Sequence, residues 1–227
     1  MKTTQFRYPT GARPLLVEET ARRRRIETRF VSLLEEAGFA EVVLPIIDFA
    51  EAYADVLGGD AARQSYRFTD RDGELVAIRS DFTPMLARAL APSLDPARLP
   101  LRVFYRGDVI RCEATRLGRN RELFQIGAEV IGPADDSELL RLAASFVDNP
   151  LVVYSASEEQ RELDPSFVFH PDEDAHAGYY TGLRFWVYGA DRRTPLAQGG
   201  RYDSLYGRFG TDAPAVGFTF TIDLLED

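Results

Sequence analysis

Residues Leu123 to Val130 alternate so regularly in side-chain character that a β-strand is the one regular element that separates them cleanly. Phe124, Ile126, Ala128 and Val130 fall on one face, while Gln125, Gly127 and Glu129 fall on the other. Ile110-Arg111-Cys112-Glu113 alternates in the same sense, with Arg111 and Glu113 sharing the polar side. Between the two lies a Gly- and Arg-rich stretch with Arg116, Gly118, Arg119 and Arg121 that reads as a loop. Paired as a hairpin, these strands form a polar floor of Arg111, Glu113, Gln125 and Glu129, with Gly127 leaving room above it. Such a floor either faces water, as the outer side of a one-sided sheet, or binds a small charged molecule; alternation alone leaves both open.

The remaining segments predict a fold rich in strands. Leu15 to Ala37 places Ile26, Phe30, Leu33, Leu34 and Ala37 on one helical face, with Pro14 at its start and Gly38 at its end. The run Arg22-Arg23-Arg24-Arg25 within it, surrounded by Glu18, Glu19 and Glu27, reads as a solvated helix face. Val42 to Ile47 is a short strand marked as an edge or interface by Pro45, which has no N–H for a ladder. Residues 65–69 and 74–79 flank Asp70-Arg71-Asp72-Gly73 and form a hairpin, and a helix follows over 83–90. Strands are expected at 101–105, 108–113, 123–131, 151–154, 182–188 and 216–222, and a helix at 135–146. Strands outnumber helices and mostly follow one another, so the expected class is α+β around an antiparallel sheet, as a single domain over 1–227.

Charge narrows the partners. Against 27 Lys plus Arg stand 36 Asp plus Glu, a net charge of -9, so the chain offers nucleic acid no attractive field. Lys2 is the only lysine, and a bias toward arginine this uniform makes any single arginine weak evidence for a site. The lone Cys112 closes no internal disulfide, and no apolar run approaches a membrane span, so a cytoplasmic protein with no membrane association is expected. His170 and His176 lack the spacing of metal ligands, and no GxSxG, P-loop or HExxH motif occurs; neither a metal nor a cofactor is expected.

Capping explains one further segment, and two others stay open between structure and site. Thr83 suits an N-cap with Pro84 at the first helical position, and Asp81 suits the same capping region. Tyr179-Tyr180-Thr181-Gly182 is a strand entrance or a pair of phenols reaching into a pocket. Gly199-Gly200-Arg201-Tyr202-Asp203 is a close-packed turn or a glycine-floored pocket wall.

Taken together, these residues resemble a family. Val43-Leu44-Pro45-Ile46-Ile47-Asp48 is similar to class II aminoacyl-tRNA synthetase motif 1, whose proline lies at the dimer interface, and 104–132 is similar to motif 2. Gly178-Tyr179-Tyr180-Thr181-Gly182 and Gln198-Gly199-Gly200-Arg201-Tyr202-Asp203 resemble the two signatures of histidyl-tRNA synthetase, in the right order and over nearly the whole chain. The resemblance implies a class II synthetase-like antiparallel sheet flanked by helices. It also implies a histidine-like pocket in which Asp81, Thr83 and Gln125 hold the α-amino group, Glu129 and Tyr180 contact the imidazole, and Tyr179 lines the wall. Arg111 and Glu113 match contacts to the ATP α-phosphate and adenine.

The departures from that pattern imply a different activity. Where the synthetase carries an arginine for the amino-acid carboxylate stands Ala175, and where motif 3 carries a phosphate-gripping arginine stands Leu224. Each lost cation costs on the order of 2.7 to 4 kcal/mol of transition-state stabilisation. The chain also ends just after the motif 3 region, so no anticodon-binding domain and no tRNA partner are expected. Arg79-Ser80-Asp81-Phe82-Thr83-Pro84 resembles the non-catalytic paralogue, the regulatory subunit of ATP phosphoribosyltransferase. That resemblance implies a homodimer within a hetero-octamer with the short-form catalytic subunit, L-histidine as allosteric effector, and a role in the first step of histidine biosynthesis. The alternative is an enzyme: a histidine-activating synthetase paralogue that makes an adenylate for an acceptor other than tRNA.

Overall fold

Consecutive extended segments must satisfy their backbone groups sideways, and here they do so in one large sheet. The computed structural model describes residues 8–52, 56–57, 65–112, 120–156, 163–171 and 178–225. Among these, three helices are α1 (Val17–Glu36), α2 (Thr83–Leu90) and α3 (Asp136–Ser145). The large sheet runs β1 (Ala40–Glu41), β5 (Leu101–Ile110), β6 (Glu122–Ile131), β11 (Ala215–Thr221), β10 (Pro195–Arg201), β9 (Arg184–Tyr188), β7 (Leu151–Ser155), β8 (Val168–Phe169). Its inner pairings are antiparallel, and only the two-residue edge strands β1 and β8 pair in parallel. A smaller antiparallel sheet orders β2 (Ile47–Phe49), β4 (Leu75–Ile78) and β3 (Arg67–Thr69). The class is α+β, as the succession of strands predicts.

Each face of the large sheet has its own core. On one face Phe30 and Leu34 of α1 and Leu139 and Leu140 of α3 pack with Phe104, Ile126, Ala128, Phe218 and Phe220. Phe30 stacks on Phe146 with ring centroids 4.3 Å apart and meets the edge of Phe220 at 5.0 Å. Helix α3 starts at Asp135, whose carboxylate accepts the Ser137 and Glu138 N–H groups at 2.8 and 3.4 Å. The opposite face carries α2, whose Met85 and Leu86 pack with Val103, Tyr105, Tyr202 and Tyr206. This second layer covers the polar side of β6.

Four local expectations change. The two strands expected at 101–105 and 108–113 are one, β5, because Gly107 at φ +149° carries the chain past Arg79; a Cβ there would lie 2.8 Å from the Arg79 guanidinium. Val42 to Ile47 is no strand: pairing stops after Glu41, resumes at Ile47, and leaves Pro45 in irregular backbone. Gly199 and Gly200 lie inside β10, a strand that glycine's weak β-propensity conceals and that pairing to both β9 and β11 supplies. The arginine run is not wholly solvated, since Arg23 pairs with Asp223 at 2.5 Å and lies over the Phe124 ring. No helix among the described residues is long and apolar enough to cross a membrane.

Candidate functional site

The polar side of β6 is not in water. Gln125 is 5% exposed and Glu129 1%, so these groups are either wasted desolvation or the wall of a site. Their surroundings favour the second reading. A cavity above the sheet is lined by Asp81, Thr83, Arg111, Gln125, Tyr179 and Tyr180, together with Gln198 and Tyr202. Six of the residues expected from the sequence therefore converge on one space. Glu129 lies beneath that space, with one carboxylate oxygen accepting the Thr83 hydroxyl at 2.7 Å.

Capping explains how this comes about. Asp81 Oδ1 accepts the Thr83 N–H at 3.0 Å and Phe82 stands at the N-cap, so Thr83 is the first helical residue rather than the cap. Its hydroxyl is thereby available for Glu129. The second Asp81 oxygen accepts the Tyr179 hydroxyl at 3.0 Å, joining the start of α2 to the segment before β9. Arg111, just past the end of β5, donates through Nε to the Ser80 carbonyl at 3.3 Å. Pro45 is not part of the cavity; its carbonyl and that of Leu44 accept from Arg79 at 3.2 and 3.0 Å, and beside it Val43 is 87% exposed. Glu113, Ala175 and His176 lie outside the described residues.

The space expected above Gly127 is filled. A Cβ there would lie 2.4 Å from the Tyr105 hydroxyl, so the glycine admits a phenol of the protein itself. Tyr105 bonds to the Thr219 hydroxyl at 2.8 Å and stacks on Phe82 at 4.3 Å. Gly200 and Gly217 play the same part for Tyr180 and Tyr202, whose atoms would lie within 2.8 and 2.4 Å of an added Cβ. Tyr179, Tyr180 and Tyr202 meet with ring centroids 5.0 to 6.4 Å apart. Three tyrosines at Glu129 were not singled out as site residues in the sequence. Tyr202 sits in the second signature block, but Tyr105 and Tyr206 carry no local signal that separates them from ordinary core aromatics.

Burial dominates the electrostatics. It pushes the Glu129 carboxyl up to about 8, with the nearby Asp81 charge adding to the effect and the Thr83 hydrogen bond opposing it. At neutral pH the group is a buried neutral acid. Burial likewise raises the Tyr105, Tyr179, Tyr180 and Tyr202 phenols, keeping them protonated donors. The site therefore gathers carboxylate, amide and hydroxyl oxygens around one cavity, a set suited to a ligand with an ammonium group and a further N–H donor. Leu224 ends the short 3-10 turn Ile222–Leu224 after β11 and does not line the cavity. No group of three His, Cys, Asp or Glu among the described residues could hold a metal ion.

A family model described as histidyl-tRNA synthetase matches residues 11–157 and 153–225. The chain belongs to the histidyl-tRNA synthetase family. A histidine--tRNA ligase of Methanocaldococcus jannaschii is 26% identical over 96% of this chain and 74% of its own length. An ATP phosphoribosyltransferase regulatory subunit of Carboxydothermus hydrogenoformans is 26% identical over 95% of this chain and 94% of that protein. The regulatory subunit of Geobacter sulfurreducens is 37% identical over 60% of the chain, an alignment that spans 32% of that relative. In structure, a regulatory subunit/histidyl-tRNA synthetase of Bacillus halodurans superposes with a TM-score of 0.84 at 22% identity, covering 99% of this chain and 83% of its own. The fold is therefore the class II synthetase-like one, and the family's relatives include both ligases and regulatory subunits.

Proposed function

We propose that this chain is a non-catalytic regulatory subunit of ATP phosphoribosyltransferase that binds the short-form catalytic subunit, activates it and confers feedback control by histidine. The observation that carries the reading is the pocket itself: its acceptors for an amino acid are assembled, while Ala175 and Leu224 occupy the two positions at which the family's ligases place cations for carboxylate and phosphate. A ligand can be held there, but the charge that develops on phosphate during adenylation meets neither arginine. The near end-to-end alignment with the Carboxydothermus regulatory subunit supports the same conclusion.

In this reading the chain is a cytoplasmic homodimer within a hetero-octamer. Val43, Ile46, Ile47 and Phe49, all exposed around Pro45, form the apolar strip on which a second copy docks. Histidine must favour one state of the complex over the other by about 1 to 3 kcal/mol to act as effector. The test is a mixing assay. A short-form phosphoribosyltransferase should gain activity and histidine sensitivity when this chain is added; unchanged activity and unchanged sensitivity refute the proposal. The ligase relative makes a stand-alone adenylating enzyme the second reading. Histidine-dependent exchange of pyrophosphate into ATP by the purified chain would establish it instead.

A further inference from the structure

Three buried polar atoms around the floor of the cavity make no well-formed hydrogen bond, Glu129 Oε2, the Tyr202 hydroxyl and the Tyr206 hydroxyl, although both phenols stand close enough to the Glu129 carboxyl to interact with it. Leaving even one such atom poorly paired costs up to about 1 to 3 kcal/mol, so three together mark an arrangement that can still tighten around the carboxyl. They are neighbours. An added Cβ at Gly217 would lie 2.4 Å from the Tyr202 hydroxyl and 2.7 Å from Glu129 Cγ, and both phenols are made weaker acids by burial and then by the Glu129 carboxyl. Tyr202 also lines the cavity, whereas Tyr206, in the short 3-10 turn Tyr206–Phe209, stands behind it with no exposed surface.

We infer that Tyr206 is a positioning residue for Glu129: when a ring N–H of the ligand takes the carboxyl as acceptor, Glu129 gives up its proton to solvent, and the Tyr206 and Tyr202 hydroxyls turn to donate to the carboxylate. The inference rests on the reading of the cavity as a histidine site. Its chemistry balances. The O–H bond of the neutral acid breaks, the proton leaves to buffer, and one carboxylate accepts from Thr83, the two phenols and the ligand, within its capacity of about four hydrogen bonds. The groups facing Glu129 set the direction. Asp81, before α2, opposes its ionisation; Thr83 from α2 donates to it; Tyr105 from β5, Tyr180 before β9, and Tyr202 and Tyr206 after β10 are neutral phenols. Without new donors, a carboxylate in this setting stays protonated.

Calorimetric titration of the full chain with L-histidine at pH 7, in buffers of different ionisation enthalpy, reads the proton count. Close to one proton released per bound histidine is expected. In Glu129→Gln the release disappears. In Tyr206→Phe, which keeps the ring and removes only the hydroxyl, affinity falls about tenfold or more, as for loss of a hydrogen bond to a charged group, and less proton is released. Histidine binding without proton release, or a Tyr206→Phe protein that matches the parent in both affinity and release, overturns the inference. If histidine does not bind at all, the histidine-site reading fails on its own. The coupling is then read without ligand from the Glu129 carboxyl carbon resonance across pH, where Tyr206→Phe should raise the midpoint by about one pH unit. An unmoved midpoint overturns it.

Discussion

Replacing Glu129 by glutamine should make the unliganded protein more stable, although it alters a buried residue at the centre of the site. The Glu129 carboxyl is 1% exposed and titrates near 8 instead of 4.5, so at pH 7 the folded chain holds it as a neutral acid. Glutamine has nearly the same shape and charge, and its carbonyl oxygen can still accept the Thr83 hydroxyl. The difference lies in the unfolded chain, where glutamate ionises and glutamine cannot. The sign follows from linkage: below 4.5 the acid is neutral in both states and costs nothing. As pH rises from 4.5 toward 8, only the unfolded state loses its proton, and folding weakens by about 1.4 kcal/mol per pH unit. At pH 7 that amounts to about 3 kcal/mol, or on the order of 5–10 °C in Tm for a chain of this size. Urea unfolding of parent and variant at pH 4.5, 6, 7 and 8 measures it. The two should nearly coincide at pH 4.5 and diverge steadily to pH 8. A gap that is the same at every pH, or a variant less stable at pH 7, would show that Glu129 is ionised in the folded state and that this account of the site is wrong.

Other expectations concern the frame around that carboxyl. Gly127→Ala drives a methyl into the Tyr105 phenol and should cost about 1 to 3 kcal/mol in denaturant unfolding while weakening ligand binding, because Tyr105 must leave Thr219. Phe220→Ala removes a ring packed between Phe30, Phe146 and Phe218 and should cost about 3 to 5 kcal/mol with the site's own groups untouched. Arg79→Lys cannot reproduce four guanidinium hydrogen bonds to the carbonyls of Leu44, Pro45 and Asp108, so faster amide exchange is expected at Val42, whose N–H bonds to the Phe104 carbonyl at 2.8 Å in the parent. Val43→Asp, on the exposed strip, should leave thermal unfolding of the protomer within about 0.5 kcal/mol and shift the sedimentation profile toward monomer.

Local pattern was enough where neighbours in sequence carry the physics. Alternation in 123–130 marked β6 and sorted its side chains to the correct faces, and Pro84 with its flanking residues marked α2, with the cap one residue earlier than expected. The helix expected over 135–146 is α3, which Asp135 caps. Pattern failed where pairing partners supply the order. β10 contains Gly199 and Gly200, poor strand formers held by hydrogen bonds from both sides, and Gly107 looks like a break until β6 is laid along it.

The site divides in the same way. The sequence by itself carried the α+β class and the family resemblance, and through that resemblance it pointed to Asp81, Thr83, Arg111, Gln125, Glu129, Tyr179 and Tyr180, because several motif blocks in a fixed order carry that information. It could not decide whether the polar face of β6 met water or protein, since alternation says which residues share a side and nothing of what lies over it. Only the tertiary structure placed α2 and the tyrosines there, from separate stretches of the chain, and burial then turned Glu129 from an ordinary carboxylate into a neutral acid beneath a cavity. Desolvation is a property of everything that surrounds a group in space, so it is written in no local stretch of the chain.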